Sequence, residues 1–220
     1  MTDERQGPAR IWPWMLAVLL IAGAAFAIGR FSTFGVAQQT ATPTSDSAEA
    51  GFARDMQVHH AQAVEMAMQV YRTTDDDTVR ALSYDIATGQ SAQKGEMYDW
   101  LVQWGLPQAD GPLMSWMATS DEHAGHGDTE QLSTEELEAQ MGMATDAELA
   151  ELNAATGTEA DCLFLGLMIR HHEGAVPMAE AVIELGSQPR VLQFAQAVIE
   201  TQTAEIDAMQ SAQARLGCTG

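Results

Sequence analysis

Apolar residues between positions 49 and 217 recur at three- and four-residue intervals, and turn residues cut the pattern into four long segments. Phe52, Met56, His59/His60, Ala63, Met66/Ala67 and Val70 fall on one stripe of a first helix. Thr73-Thr74-Asp75-Asp76-Asp77 ends it and supplies capping groups for a second, from about Thr78 to Trp104, with Val79, Leu82, Ile86, Met97, Leu101 and Trp104 on its apolar side. Gly105-Leu106-Pro107 closes that helix. Thr158-Glu159-Ala160-Asp161 has capping-box-like spacing for a third helix, and Gly186-Ser187-Gln188-Pro189 turns into a fourth. Pro177 removes a backbone hydrogen bond from the third helix and predicts a kink. Two shorter capping boxes, Ser133 to Glu136 and Thr145 to Glu148, predict two short helices in the connection.

The second pair of segments repeats the first. Phe52, Met56, His59, His60, Ala63, Val64, Met66, Ala67 and Val70 return as Phe164, Met168, His171, His172, Ala175, Val176, Met178, Ala179 and Val182, each 112 residues on. The same offset takes Val79, Gln90, Ala92 and Met97 onto Val191, Gln202, Ala204 and Met209. Thirteen identities in 46 ungapped positions establish a duplication. A lone helical hairpin cannot bury both its stripes, whereas two can bury them against each other. The expected fold is therefore all-α, a four-helix bundle of two duplicated antiparallel hairpins. The hairpins span 49–106 and 158–217, joined by a linker at 107–157.

Ahead of the bundle, Ile11 to Ile28 is an uncharged stretch of 18 residues between Arg10 and Arg30. A spanning helix needs about 17–25 apolar residues, more than the usual signal-peptide core. The expectation is a cytoplasmic N-terminus at 1–10, a single-pass transmembrane anchor at 11–30 and a flexible Pro/Ser/Thr-rich tether at 31–48. The bundle would then be extracytoplasmic, or secreted if small residues such as Ala25-Phe26-Ala27 allow cleavage. In an oxidising compartment the two cysteines are expected to pair. Cys162 lies near the start of the third bundle helix and Cys218 just past the fourth, neighbouring ends of an antiparallel hairpin.

Charge narrows the partners. With 31 acidic against 10 basic residues the chain carries −21, which repels nucleic-acid backbones and concentrates cations. From Gly95 to Ile169 there are 15 acids and no Lys or Arg. No glycine-rich phosphate loop occurs, and no Ser/His/Asp or reactive Cys arrangement is legible, so binding reads ahead of catalysis.

The chemistry concentrates in the duplicated elements Met56, His59, His60, Met66 and Met168, His171, His172, Met178. Imidazole suits Zn, Cu, Fe and Ni, and thioether selects the softer Cu(I). Brought together across a pseudo-twofold axis, these residues would make a copper site. The same pattern also allows a structural reading, with Met as core filler and His as hydrogen-bonded core residues. Gln90 and Gln202, on the partner helices, are candidates to hold the His rings from behind, or else ordinary surface residues. Asp55, one turn before His59, and Glu205 complete this outer set, although their duplicates are Leu167 and Gln93. His123 and His126, flanked by acids, could form a separate exposed metal-scavenging loop. A di-iron oxidase is disfavoured, because Met56 stands where the required Glu would precede His59.

The runs Leu163 to Glu180 (LFLGLMIRHHEGAVPMAE) and Ala195 to Met209 (AQAVIETQTAEIDAM) resemble the bacterial domain of unknown function 305 family. The resemblance spans about residues 49–217 and both copies. It implies a ferritin-like four-helix bundle, usually exported, with some relatives associated with copper binding and copper tolerance. The family's His pair and Met fall on His171, His172, Met168 and Met178, and on His59, His60, Met56 and Met66. The first copy departs from the pattern at Gln57-Val58 and at Gln93, where the family has Glu, and the second at Pro177. The expected function is copper sequestration or homeostasis by an exported, membrane-tethered protein. The alternative is a non-catalytic envelope bundle that binds a protein partner, with the His pairs structural.

Overall fold

The computed structural model describes residues 41–119 and 132–218. Among these the chain is all-α, with six α-helices, one short 3-10 helix and no strand. They are α1 (Ala48–Thr73), α2 (Asp77–Trp104), the 3-10 turn (Ser115–Thr119), α3 (Thr134–Gln140), α4 (Asp146–Ala154), α5 (Gly157–Leu185) and α6 (Pro189–Leu216). No helix among the described residues is long and apolar enough to cross a membrane, and the stretch from Ile11 to Ile28 lies outside them.

Local sequence sets most of the helix ends. The Ser47 hydroxyl accepts from the Ala50 N–H to open α1. Asp76 accepts from the Thr78 and Val79 N–H groups to open α2. Its carboxylate also takes a two-pronged bond from Arg215, both contacts at 2.7 Å, which pins the last turn of α6 to the α1–α2 corner. Ser133 with Glu136 and Thr145 with Glu148 form the two expected capping boxes. The start of α5 differs from expectation. Its N-cap is Thr156, which makes no side-chain cap bond, and Thr158 to Asp161 lie inside the first turns. Nor does Pro177 break α5, which continues to Leu185. Pro177 and Glu173, whose carbonyl loses its N–H partner, both lie on the exposed face, so that carbonyl is open to solvent.

The helices α1 and α5 pack on each other, α2 on α1 and α6 on α5. Two apolar clusters show that α1 and α5 run antiparallel. One cluster joins Ala50 to Met56 of α1 with Ala175 to Val182 of α5, and the other joins Ala63 to Val70 with Phe164 to Met168. The two His pairs fall between these clusters. Cys162 and Cys218 form the expected disulfide, with their Cα atoms 5.5 Å apart.

The linker docks tightly onto the second hairpin. A Cβ on Gly174 would lie 2.0 Å from the Met141 carbonyl oxygen, and one on Gly142, whose φ is +71°, 2.3 Å from the Arg170 carbonyl. Only glycines allow this backbone-on-helix approach. Gln62 clamps the same segment from α1. Its amide donates to the Ala144 carbonyl at 2.8 Å and its oxygen accepts from the Ala144 N–H at 2.7 Å.

The disulfide closes a loop with a sequence separation of 56, so its loss is expected to destabilise the bundle by about 2–4 kcal/mol. Urea unfolding of the C162S/C218S variant against the oxidised chain measures this, and equal midpoints would show that the Arg215–Asp76 end needs no covalent clamp.

Candidate metal centre

The crossing of α1 and α5 is marked by two imidazoles in close contact, with the ring centroids of His59 and His171 3.6 Å apart and their planes inclined by 34°. His60 and His172 flank them, 6.1 and 6.3 Å from their sequence neighbours. All four side chains are fully buried. A charge-bearing imidazolium at this depth would lose its hydration, so burial pushes His59, His60 and His171 towards the neutral form. His59 falls to about 3, through burial first and repulsion from His60 second. His60 falls to about 4, again mainly by burial, opposed by its bond to Gln93. His171 is held well below its ordinary value by burial and by the three other rings.

Each ring is oriented through Nε2. The His59 Nε2–H donates to the Met141 carbonyl at 3.0 Å, and the His171 Nε2–H to the His59 carbonyl at 3.1 Å. His60 pairs with the Gln93 side-chain oxygen and His172 with the Glu205 carboxylate, both at 2.8 Å. Carbonyls and carboxylates only accept, so the proton resides on Nε2 and Nδ1 keeps its lone pair. All four Nδ1 atoms are buried without a hydrogen-bond partner. Leaving one buried acceptor unsatisfied costs about 1–3 kcal/mol, and here the omission occurs four times at duplicated positions. Lone pairs left bare in this way are what a metal cation takes.

The remaining donors are soft. Met56, Met66, Met168 and Met178 are all buried. Met56 and Met178 share one core cluster with Met97, and Met66 and Met168 share the other with Met209. Among the described residues no group of three or more His, Cys, Asp or Glu converges as a metal site. Any site here therefore combines imidazole with thioether, a donor set that fits copper in its soft form and not Ca or Mg.

Of the expected outer residues only Glu205 meets a ring, that of His172. Gln90 and Gln202 are buried, not on the surface, but their amides bond neither ring and have no hydrogen-bond partner. The ring contacts fall three residues later on the same helix faces, at Gln93 and Glu205. Asp55 does not bond His59. Its carboxylate turns to the 3-10 region instead, accepting from the Met114 N–H at 2.7 Å and the Trp116 indole at 2.9 Å. His123 and His126 lie outside the described residues. Sequence reasoning missed Gln93, although the 112-residue offset from Glu205 marked it. It also missed the Met141 carbonyl, because only the docked linker brings residue 141 to residue 59.

Residues 49–213 match the model of the family described as Domain of unknown function (DUF305). The chain belongs to the DUF305 family. A presumed secreted DUF305 protein of Streptomyces coelicolor is 40% identical, with 80% of this chain and 96% of that one covered and a TM-score of 0.68. A DUF305 fragment from Deinococcus radiodurans is 32% identical, covering 76% and 96%, with a TM-score of 0.63. CopM in its Cu(II)-bound form is 26% identical, covering 77% of this chain and 97% of its own, with a TM-score of 0.56. No curated protein matches the chain in sequence.

His59, His60 and His171, held neutral by burial, make the stability of this DUF305 bundle pH-dependent. Above about pH 6.5 they are neutral in the folded and unfolded chain alike. Below it the unfolded chain binds protons that the folded His59 and His60 refuse until about 3 to 4, with His171 shifted the same way, so stability falls with pH. The urea midpoint is expected to drop already between about pH 7 and about pH 5, above the range where carboxylates titrate. A flat midpoint across that window would mean the rings are not held neutral.

Proposed function

We propose that this DUF305 chain is an exported, membrane-tethered protein that binds copper through its paired His and Met residues and holds it for sequestration or handover. The observation that carries this reading is the set of four buried Nδ1 lone pairs, each on a ring oriented through Nε2 and each without a partner. His59, His60, His171 and His172 supply nitrogen, and Met56, Met66, Met168 and Met178 supply sulfur. The Cu(II)-bound form of CopM supports the reading, being a relative of similar fold. The charge of −21 supports it too, since an acidic surface raises the local concentration of cations. Export and tethering rest on the uncharged stretch from Ile11 to Ile28, with support from the Cys162–Cys218 bridge and the presumed secreted relative. The donor rings are sealed from solvent, so loading proceeds through an opening of the bundle and is slower than diffusion.

The test is competition for Cu(I) against a chromophoric chelator, with metal content measured on the full chain. The quadruple His→Ala variant is expected to lose binding. Because truncating four buried rings can unfold the bundle, the volume-conserving M56L/M168L variant is run beside it and helicity is checked by circular dichroism. A folded M56L/M168L protein with at least about tenfold weaker Cu(I) binding supports the reading. Absence of stoichiometric metal binding by the wild type overturns it and makes the His pairs structural, and tighter binding of Zn(II) than of Cu(I) overturns the assignment to copper.

A further inference from the structure

The duplication makes Gln93 and Glu205 equivalent, and these are the residues that hold the Nε2 of His60 and His172, both at 2.8 Å. The two halves thus share one geometry and differ in charge. The difference extends one residue further. Lys94 follows Gln93 and acts electrostatically on His60, whereas its duplicate is the uncharged Ile206. Around His60 the fixed neighbours are a neutral amide and a cation. Around His172 they are a carboxylate and an aliphatic side chain.

This matters for a cation bound by imidazole and thioether, because neither donor carries charge. A monovalent ion in such a site brings an uncompensated positive charge into a buried, low-dielectric region. At His172 the carboxylate behind the ring offsets that charge and makes Nδ1 the stronger donor, as carboxylates behind ligating histidines do. At His60 nothing offsets it, and Lys94 adds repulsion. Met168 and Met56 lie four residues before His172 and His60, on the same helix faces, so the soft donors available to each half are matched. The charge behind the ring is what separates them.

Building on the copper-binding reading above, we infer that the two halves load in a fixed order, with a soft monovalent cation taken first at His172 and second at His60. Glu205 and Lys94 act as positioning residues that set this order without touching the cation. Two such steps give the protein a tight site that fills at low metal and a weaker site from which the cation can be passed on.

The experiment titrates Ag(I), a redox-silent soft monovalent ion, into the full chain. Stepwise affinities are measured by competition, and the His60 and His172 ring resonances are followed by NMR. The wild type is expected to show two steps at least about tenfold apart, with the His172 signals moving first. E205Q should weaken the first step by about 10–100-fold, and K94I should tighten the second. The double swap Q93E/E205Q should reverse the order, with His60 moving first, which a merely structural role for either residue would not produce. One shared step in the wild type overturns the inference while leaving metal binding intact. So do unchanged steps in a folded E205Q protein, or movement of His60 first in the wild type. Failure of the wild type to bind either Ag(I) or Cu(I) overturns the copper-binding reading itself.

Discussion

The structure turns on the contact between the His59 and His171 rings, where α1 and α5 cross. Two fully buried imidazoles in contact can exist there only as neutral groups, and each needs an acceptor for its one N–H. His171 finds it in the carbonyl of His59 itself, which ties the two helices together backbone to ring. His59 finds it in Met141, which makes the linker part of the core. Around this layer the apolar residues divide into two clusters, each with three duplicated methionines. The polar layer thus fixes the register of the hairpins, and the clusters on either side supply the burial that keeps the layer dry.

The same layer explains why a symmetric duplication ends in an asymmetric protein. His59 meets the backbone of His171 as its duplicate meets that of His59, but the linker adds a carbonyl of its own, that of Met141, on the His59 ring alone. Gly174 and Gly142 remove the side chains that would prevent the approach. Gln62 locks the segment through both its amide groups. Arg170 holds it from the other side, bonding both oxygens of Glu148 at 2.7 Å, although this exposed pair adds little stability by itself. The connection between the halves therefore serves as a structural lid over one histidine, and the halves differ in chemistry as well as in position.

Much of the fold was legible in the residues because it rests on local rules. The four long helices, the two capping boxes and the paired cysteines follow from spacing and end chemistry that act within a few residues. The start of α5 was misread because a tight connection after α4 places Thr156 at the cap despite its idle side chain. Pro177 is carried inside α5 because the carbonyl it frees lies on the exposed face, which is a matter of exposure and not of sequence. At the candidate site the His and Met residues were legible through the duplication, and of their partners only Glu205 was, which bonds His172. Gln90 and Gln93 differ by less than one helical turn, and periodicity cannot say which of them meets a ring on another helix.

By itself, the sequence determined the repeating helical pattern, the four histidines and their methionines, and the acidic charge that favours cations. These are properties of composition and short-range spacing, and they survive without knowledge of how the helices cross. Only the tertiary structure decided that every ring is held through Nε2, that Asp55 turns away to Trp116, and that Nδ1 is the atom left bare. Those outcomes depend on which acceptors other helices and the linker bring within 3.1 Å of a buried N–H. That is set by the crossing of α1 and α5 and by the two glycines that let the linker in, long-range geometry that no local pattern in the chain encodes.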